Sequence, residues 1–321
     1  MISQDRILHD GMLHVFLLGT GGPMNNDTRV ASSIGIIAGG EFILVDIGPG
    51  SYRNLDLMRL PAEHLSAVFL THFHSDHIGD LGEANMLSWV NGRDKPLEVY
   101  GPKGVKQVVE GFEKAYELDT GYRIAHHGKE VLNREHSKMI NRMILMEDPT
   151  EKVLCFDKNG LKVYAFEVDH TPVAPAVGYR IEFEGNCLVI TGDTVKTENL
   201  VKHSRGADIL FSEAISYTMI NNLMAGAAKM NLKRFAKILK DIQNYHMEPI
   251  AAAQLAKEAQ VKKLVIVHIT PPLPNEKLEK LYLKGVEDIF KGEVILAQDR
   301  MKFKLEPNKE VGKNGFKKIT K

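Results

Sequence analysis

Residues 71–77 read Thr71-His72-Phe73-His74-Ser75-Asp76-His77, so three imidazoles and one carboxylate fall within six residues. Neutral imidazole nitrogens and carboxylate oxygens are the donors that a borderline divalent cation such as zinc takes. Solvated polar residues on a loop have no need of that density. The apolar run 67–70 comes directly before the motif. If the chain stays extended beyond it, period-two alternation sends His72, His74 and Asp76 to one side, with His77 following.

The elements that must position such a cluster are legible as short apolar runs. Residues 14–18, 42–45 and 67–70 have the length and turn-residue flanks of strands buried on both faces. Further strand-like runs lie at 161–168, 177–183, 187–190, 209–211 and 264–268, and alternation returns at 294–296 and 301–305. Helical periodicity marks 105–116, 232–242 and 250–259. Strands and helices interleave without a Pro/Ser-rich linker, which predicts one α/β domain over 1–321 with sheets inside and helices outside. The Lys-rich end, 308–321, reads as a frayed terminus. Gly19-Thr20-Gly21-Gly22-Pro23 and Gly48-Pro49-Gly50 are sharp loop signals, and neither fits a phosphate-binding or dinucleotide fingerprint.

The pattern His72-x-His74-x-Asp76-His77 resembles that of the metallo-β-lactamase superfamily, and the resemblance runs from about residue 14 to 268. It implies an αββα sandwich of two mixed sheets with a two-metal centre at one edge. It also implies further ligands, and each has a match just after an apolar run: His170, Asp193 in Ile190-Thr191-Gly192-Asp193, and His268. His72, His74 and His170 would hold one metal and Asp76, His77 and His268 the other, with Asp193 bridging. Asp46 would support the site from behind. Zinc is the expected cofactor, with manganese or iron as alternatives. His9, His14, His64, His136 and His203 lack ligand-like spacing.

Fold alone does not choose a reaction. Leu17-Leu18-Gly19-Thr20-Gly21, Arg29-x-x-Ser32-Ser33 and Val99-Tyr100-Gly101-Pro102-Lys103-Gly104 are similar to stretches of ribonuclease Z and its arylsulfatase relatives. In that group an additional His, here His246, serves the leaving oxyanion and a Glu, here Glu213, orients it. Met247 stands where the group carries a small hydroxyl residue. Ribonuclease Z also carries a long tRNA-gripping arm between a Gly-Tyr-Arg segment and the bridging Asp. Here Gly178-Tyr179-Arg180 and Asp193 are separated by only 12 residues. The chain expands instead at 117–150 and 215–245, where Met219, Met224 and Met230 and the periodic run 232–242 suggest a lid, a dimer contact or core packing. Residues 121–128, with His126 and His127, would line the pocket or form a structural loop.

The expected reaction is therefore hydrolysis of a phosphodiester or sulfate ester in a small molecule. A metal-bridging hydroxide would attack, Asp76 would hold or deprotonate it, and His246 steered by Glu213 would protonate the leaving group. A tRNA 3′-processing nuclease is the first alternative, and a lactonase or thioesterase the second. The expected assembly is a homodimer. Lys plus Arg and Asp plus Glu both total 41, so no net charge drives the chain toward nucleic acid or an anionic membrane. No apolar run approaches the ~20 residues that span a bilayer, and the N-terminus lacks the order of a secretory signal, which suggests a cytoplasmic protein. Cys155 and Cys187 show no Cys-x-x-Cys spacing and read as small buried hydrophobes. Asp193→Ala should accordingly lose both metals or all activity, whereas Cys155→Ser and Cys187→Ser should keep the wild-type metal content by elemental analysis.

Overall fold

In strand β1, Leu13–Gly19, every residue is buried, yet successive side chains serve different cores. The remaining strands of the first half are β2 (Ser33–Ala38), β3 (Glu41–Val45), β4 (Leu65–Phe69), β5 (Leu97–Gly101) and β6 (Met139–Met143). Those of the second half are β7 (Lys152–Lys158), β8 (Leu161–His170), β9 (Val173–Phe183), β10 (Asn186–Ile190), β11 (Ile209–Ile215), β12 (Lys263–Thr270), β13 (Glu293–Leu296) and β14 (Lys302–Leu305). The structure is a computed structural model that describes residues 5–308. The Lys-rich end beyond Asn308 lies outside the described residues.

The strands form two seven-stranded mixed sheets, ordered β14-β1-β2-β3-β4-β5-β6 and β13-β12-β11-β10-β9-β8-β7. In the first sheet β14, β1, β2 and β3 pair antiparallel, and β3 to β6 pair parallel. In the second, β7 to β10 pair antiparallel and β10 to β13 parallel. Period-two alternation sorts the side chains between layers. Val15, Leu17, Ile36, Ile43, Ala67 and Phe69 join Val163, Ala165, Ile181 and Leu188 of the other sheet in one core. Their neighbours Phe16, Leu18, Phe42, Leu44 and Val68 turn outward instead, onto Leu55, Leu81, Ala84, Val105 and Val109 of the covering helices. This is the expected αββα sandwich.

Phe69 stacks on Tyr100 at 4.6 Å between ring centroids and meets Phe156 and Tyr179 edge-on. The Tyr179 hydroxyl donates to the Leu70 carbonyl at 2.6 Å, and the Val177 N–H donates to the Thr71 carbonyl at 3.0 Å. The second sheet is thus tied to the first immediately before the His-rich motif.

Several elements depart from the sequence expectation. The helix begun at Val105 runs on to His127, so 121–127 are its last turns rather than a loop, and His126 and His127 are exposed. Strand β2 escaped the period analysis because Gly35 interrupts its apolar run. Helix Tyr217–Lys229 escaped it because only Met219, Ile220 and Ala227 are buried. The glycine loops serve close approach: a Cβ at Gly48 would lie 2.0 Å from the Asp76 carbonyl oxygen, and one at Gly22 2.4 Å from Thr270 Oγ1. Both cysteines are free, and burial pushes each thiol up to about 12. No helix of the described residues is long and apolar enough to cross a membrane.

Asp299 fastens the end of β1 to its surroundings. Its carboxylate accepts from the Thr20 N–H and hydroxyl, the Val30 N–H and the Asn54 side-chain amide, at 2.7–3.0 Å. Asp299→Ala strands these donors, and thermal or denaturant unfolding should show a loss of roughly 1–3 kcal/mol.

Candidate active site

The clustered residues come from strand ends of both sheets. Asp46 follows β3 with a left-handed φ of 56°, His170 closes β8, Asp193 follows β10, and His268 lies in β12 with φ 47°. The His-rich motif is not extended throughout, as period two would require. Strand β4 ends at Phe69, and His74 caps a one-turn helix, Ser75–Ile78, that carries Asp76 and His77. The helical turn lets the adjacent Asp76 and His77 both face inward, which a strand would forbid.

Three overlapping groups of donors result: His72, His74, His170 and Asp193; Asp76, His77 and His268; and Asp193, His246 and His268, with the ligand atoms of each group within 4.8 Å of one another. Asp193 Oδ2 lies 3.3 Å from His77 Nε2 and His268 Nε2, 3.8 Å from His72 Nε2 and 4.0 Å from His170 Nε2. His268 Nε2 is 3.2 Å from Asp76 Oδ2. All of these residues are buried except His74, which opens to solvent.

His72, His77 and His170 are each anchored through Nδ1, which leaves Nε2 for the centre, whereas His268 Nδ1 is buried without a partner. Asp46 accepts from the Thr71 N–H and hydroxyl and from His77 Nδ1 at 2.8 Å. Because the Thr71 hydroxyl is spent on Asp46, its oxygen accepts from His72 Nδ1 at 3.0 Å. His170 Nδ1 donates to the Tyr245 carbonyl at 2.9 Å. The inward Nε2 atoms of His77 and His170 and the Oδ1 of Asp193 are buried without a hydrogen-bond partner. Buried polar atoms left in this state are costly, and a divalent cation is the partner this donor set fits.

The electrostatics follow from crowding. Burial pushes His170 down to about 4 and, with His77 beside it, holds His72 well below the ordinary imidazole value. Burial alone would raise the Asp193 carboxyl, but His268 and His77 hold it well below the carboxylate range. His77 is disfavoured as a cation by burial, yet Asp193 and Asp46 on its two sides raise it; a metal entering there would displace that proton.

Beside the cluster, His246 Nδ1 lies 2.9 and 3.0 Å from the two Glu213 oxygens and 4.0 Å from Asp193 Oδ2. Glu213 also accepts from the Thr194 N–H at 2.8 Å. Burial, with Asp193 nearby, raises Glu213, and burial lowers His246. Met247 turns into the core and places its Sδ 3.6 Å from Ser212 Oγ. Sequence reasoning did not single out Thr71, Thr194 or Tyr245. Only the chain position of Tyr245, directly before His246, hinted at its place.

Residues 41–269 match the Beta-lactamase superfamily domain. Ribonuclease Z of Mycobacterium marinum is 36% identical over 265 residues, covering 82% of this chain and 88% of that protein. Ribonuclease Z of Mycobacterium bovis is 32% identical, covering 93% of this chain and 100% of that protein. The chain belongs to this superfamily, in its ribonuclease Z-like branch. The crystal structure of the short form of human tRNase Z is 25% identical, with a TM-score of 0.63 over 90% of this chain and 98% of that one.

As a superfamily member the protein is a metal-dependent hydrolase. The expectation of a small-molecule phosphodiester or sulfate ester substrate, with RNA disfavoured, is overturned by these whole-length matches to ribonuclease Z. That expectation rested on the 12-residue spacing before Asp193, which the structure shows as the tight β9–β10 hairpin. One short turn says nothing about which other surface meets the substrate.

Asp46→Asn tests the anchoring role, because it weakens the acceptor behind His77 and Thr71. Metal affinity should fall 10–100-fold by competitive chelation, with an unchanged circular dichroism spectrum.

Proposed function

We propose that this protein is a ribonuclease Z-type endonuclease that hydrolyses a phosphodiester bond at the 3′ side of precursor tRNA. The observation that carries this reading is the end-to-end likeness to curated ribonuclease Z, at 32% identity across 93% of this chain and 100% of the relative. The site supports it with a donor set for two cations and an adjacent His–Glu pair.

In this reading His72, His74 and His170 would hold one divalent ion and Asp76, His77 and His268 the other, with the Asp193 carboxylate within reach of both sets. The mixture of imidazole and carboxylate suits zinc. When bound, such ions would supply Lewis acidity for hydrolysis of the phosphodiester. Asp76 takes up the proton of the attacking water. His246, held through Nδ1 by Glu213, presents Nε2 to the departing ribose oxygen and protonates it. Glu213 does not meet the substrate; its contact with Nδ1 selects the tautomer that keeps Nε2 available. Thr194, through its N–H, keeps the carboxylate turned toward the ring.

Two measurements test this. With zinc or manganese, the purified protein should release a 3′ trailer from precursor tRNA with kcat in the ordinary enzymatic range, roughly 1–10³ per second. Turnover of small aryl esters without cleavage of that RNA would refute the reading. His246→Ala should cost about 10²–10⁴-fold on the RNA, whose alkoxide leaving group needs a proton. It should cost far less on bis(p-nitrophenyl) phosphate, whose leaving group departs as an anion. Glu213→Gln should follow the same trend more weakly, with metal content retained in both variants. Equal losses on the two substrates would mean that His246 binds the phosphate instead of donating a proton.

A further inference from the structure

The segment between Glu213 and His246 forms a helical hairpin, Tyr217–Lys229 and Lys233–Asp241, closed by a 3-10 turn at Ile242–Asn244. Its base is fastened to the site: the Tyr217 hydroxyl donates to the His246 carbonyl at 2.6 Å, and the Tyr245 carbonyl holds His170. The first helix has 13 residues, a length of about 20 Å at 1.5 Å per residue.

Charge is unevenly distributed here. Over 215–245 the chain has five basic residues, Lys229, Lys233, Arg234, Lys237 and Lys240, against one acid, Asp241, in a protein of zero formal net charge. All five cations are exposed. Lys237 pairs with Asp241, whereas the other four have no ion pair among the described residues. Apolar side chains are interleaved with them. Leu239 is buried, while Met230, Leu232, Phe235 and Ile238 are 72, 47, 42 and 47% exposed. Leu232, Lys233, Arg234, Phe235 and Ile238 line one open groove.

We propose that this hairpin is an RNA-docking surface that holds the phosphodiester backbone of the substrate while its scissile bond lies in the metal cluster. The proposal rests on the nuclease reading and deepens it. A polyanion keeps five cations hydrated and neutralised at once, whereas an apolar protein partner would have to desolvate them at high cost. An exposed aromatic among cations offers a stacking platform for an unpaired base. Because the hairpin joins Glu213 to His246 in sequence and is anchored on His246 and His170, its ligand must also reach the cleft. A long RNA meets that condition.

The test neutralises the four unpaired cations together, Lys229→Ala, Lys233→Ala, Arg234→Ala and Lys240→Ala, in the metal-loaded protein. Kd is measured across a salt series for a precursor tRNA with a non-cleavable linkage, and turnover is measured on bis(p-nitrophenyl) phosphate. We expect RNA affinity to fall at least about tenfold at physiological salt, and the slope of log Kd against log salt to shrink by about 3 to 4. Small-diester turnover should stay at the wild-type rate, and replacement of the three lysines by arginine should retain RNA affinity. Unchanged RNA affinity and salt slope overturn the proposal. So does an equal loss on the small diester, or a loss confined to binding of anionic-lipid vesicles or to self-association. Failure of the unaltered protein to cleave precursor tRNA would count against the nuclease reading instead, and the Kd comparison distinguishes the two.

Discussion

Asp193 is a carboxylate taken almost fully out of water and set within 3.3–4.0 Å of five imidazoles, those of His72, His77, His170, His246 and His268. A buried charge costs several kcal/mol unless opposite charge and hydrogen bonds surround it. The imidazoles offset that cost only in part, since Asp193 Oδ1 and the inward nitrogens of His77 and His170 remain without partners. A site arranged in this way is complementary to cations, and the surrounding fold serves to keep the donors pointed at the centre.

The pointing is done from behind. Asp46 orders Thr71 and His77, Thr71 orders His72, and the Tyr245 carbonyl orders His170. The contacts from Tyr179 to Leu70 and from Val177 to Thr71 lock the sheets together beside the motif. Packing explains why the supports can be so few. Phe69, the last strand residue before the motif, sits among Tyr100, Phe156 and Tyr179, so the backbone leaves the core with little freedom. Gly48 permits the same rigidity on the other side, where the Asp76 carbonyl would collide with any side chain.

Substrate choice lies outside this cluster. Ligands of this kind serve many hydrolases, and the small-molecule expectation failed because it took one short hairpin, β9–β10, as a measure of the whole surface. The segment between Glu213 and His246 forms a helical hairpin beside the paired His246 and Glu213 side chains. It carries its unbalanced positive charge at the surface and only a few residues, such as Leu239, into the interior.

The sequence by itself determined the dense His/Asp motif and the succession of strands and helices. The motif directly follows an apolar run, and alternation along such runs decides which side chains face each core, so both depend on local spacing alone. His72, His74, Asp76 and His77 were legible for that reason, whereas the sandwich and the places of His170, Asp193, His268, Glu213 and His246 came only as implications of the family resemblance. Strand β2 and helix Tyr217–Lys229 were not legible, since a glycine breaks one pattern and few buried residues mark the other. Only the tertiary structure decided that Asp76 and His77 turn inward together on a helical turn. It alone decided that Thr71 and Tyr245, residues of ordinary type, hold the rings in place. Orientation of this kind depends on which carbonyl or carboxylate arrives from a distant segment, such as Asp46 at His77 or Tyr245 at His170, and chain spacing carries no record of that arrival.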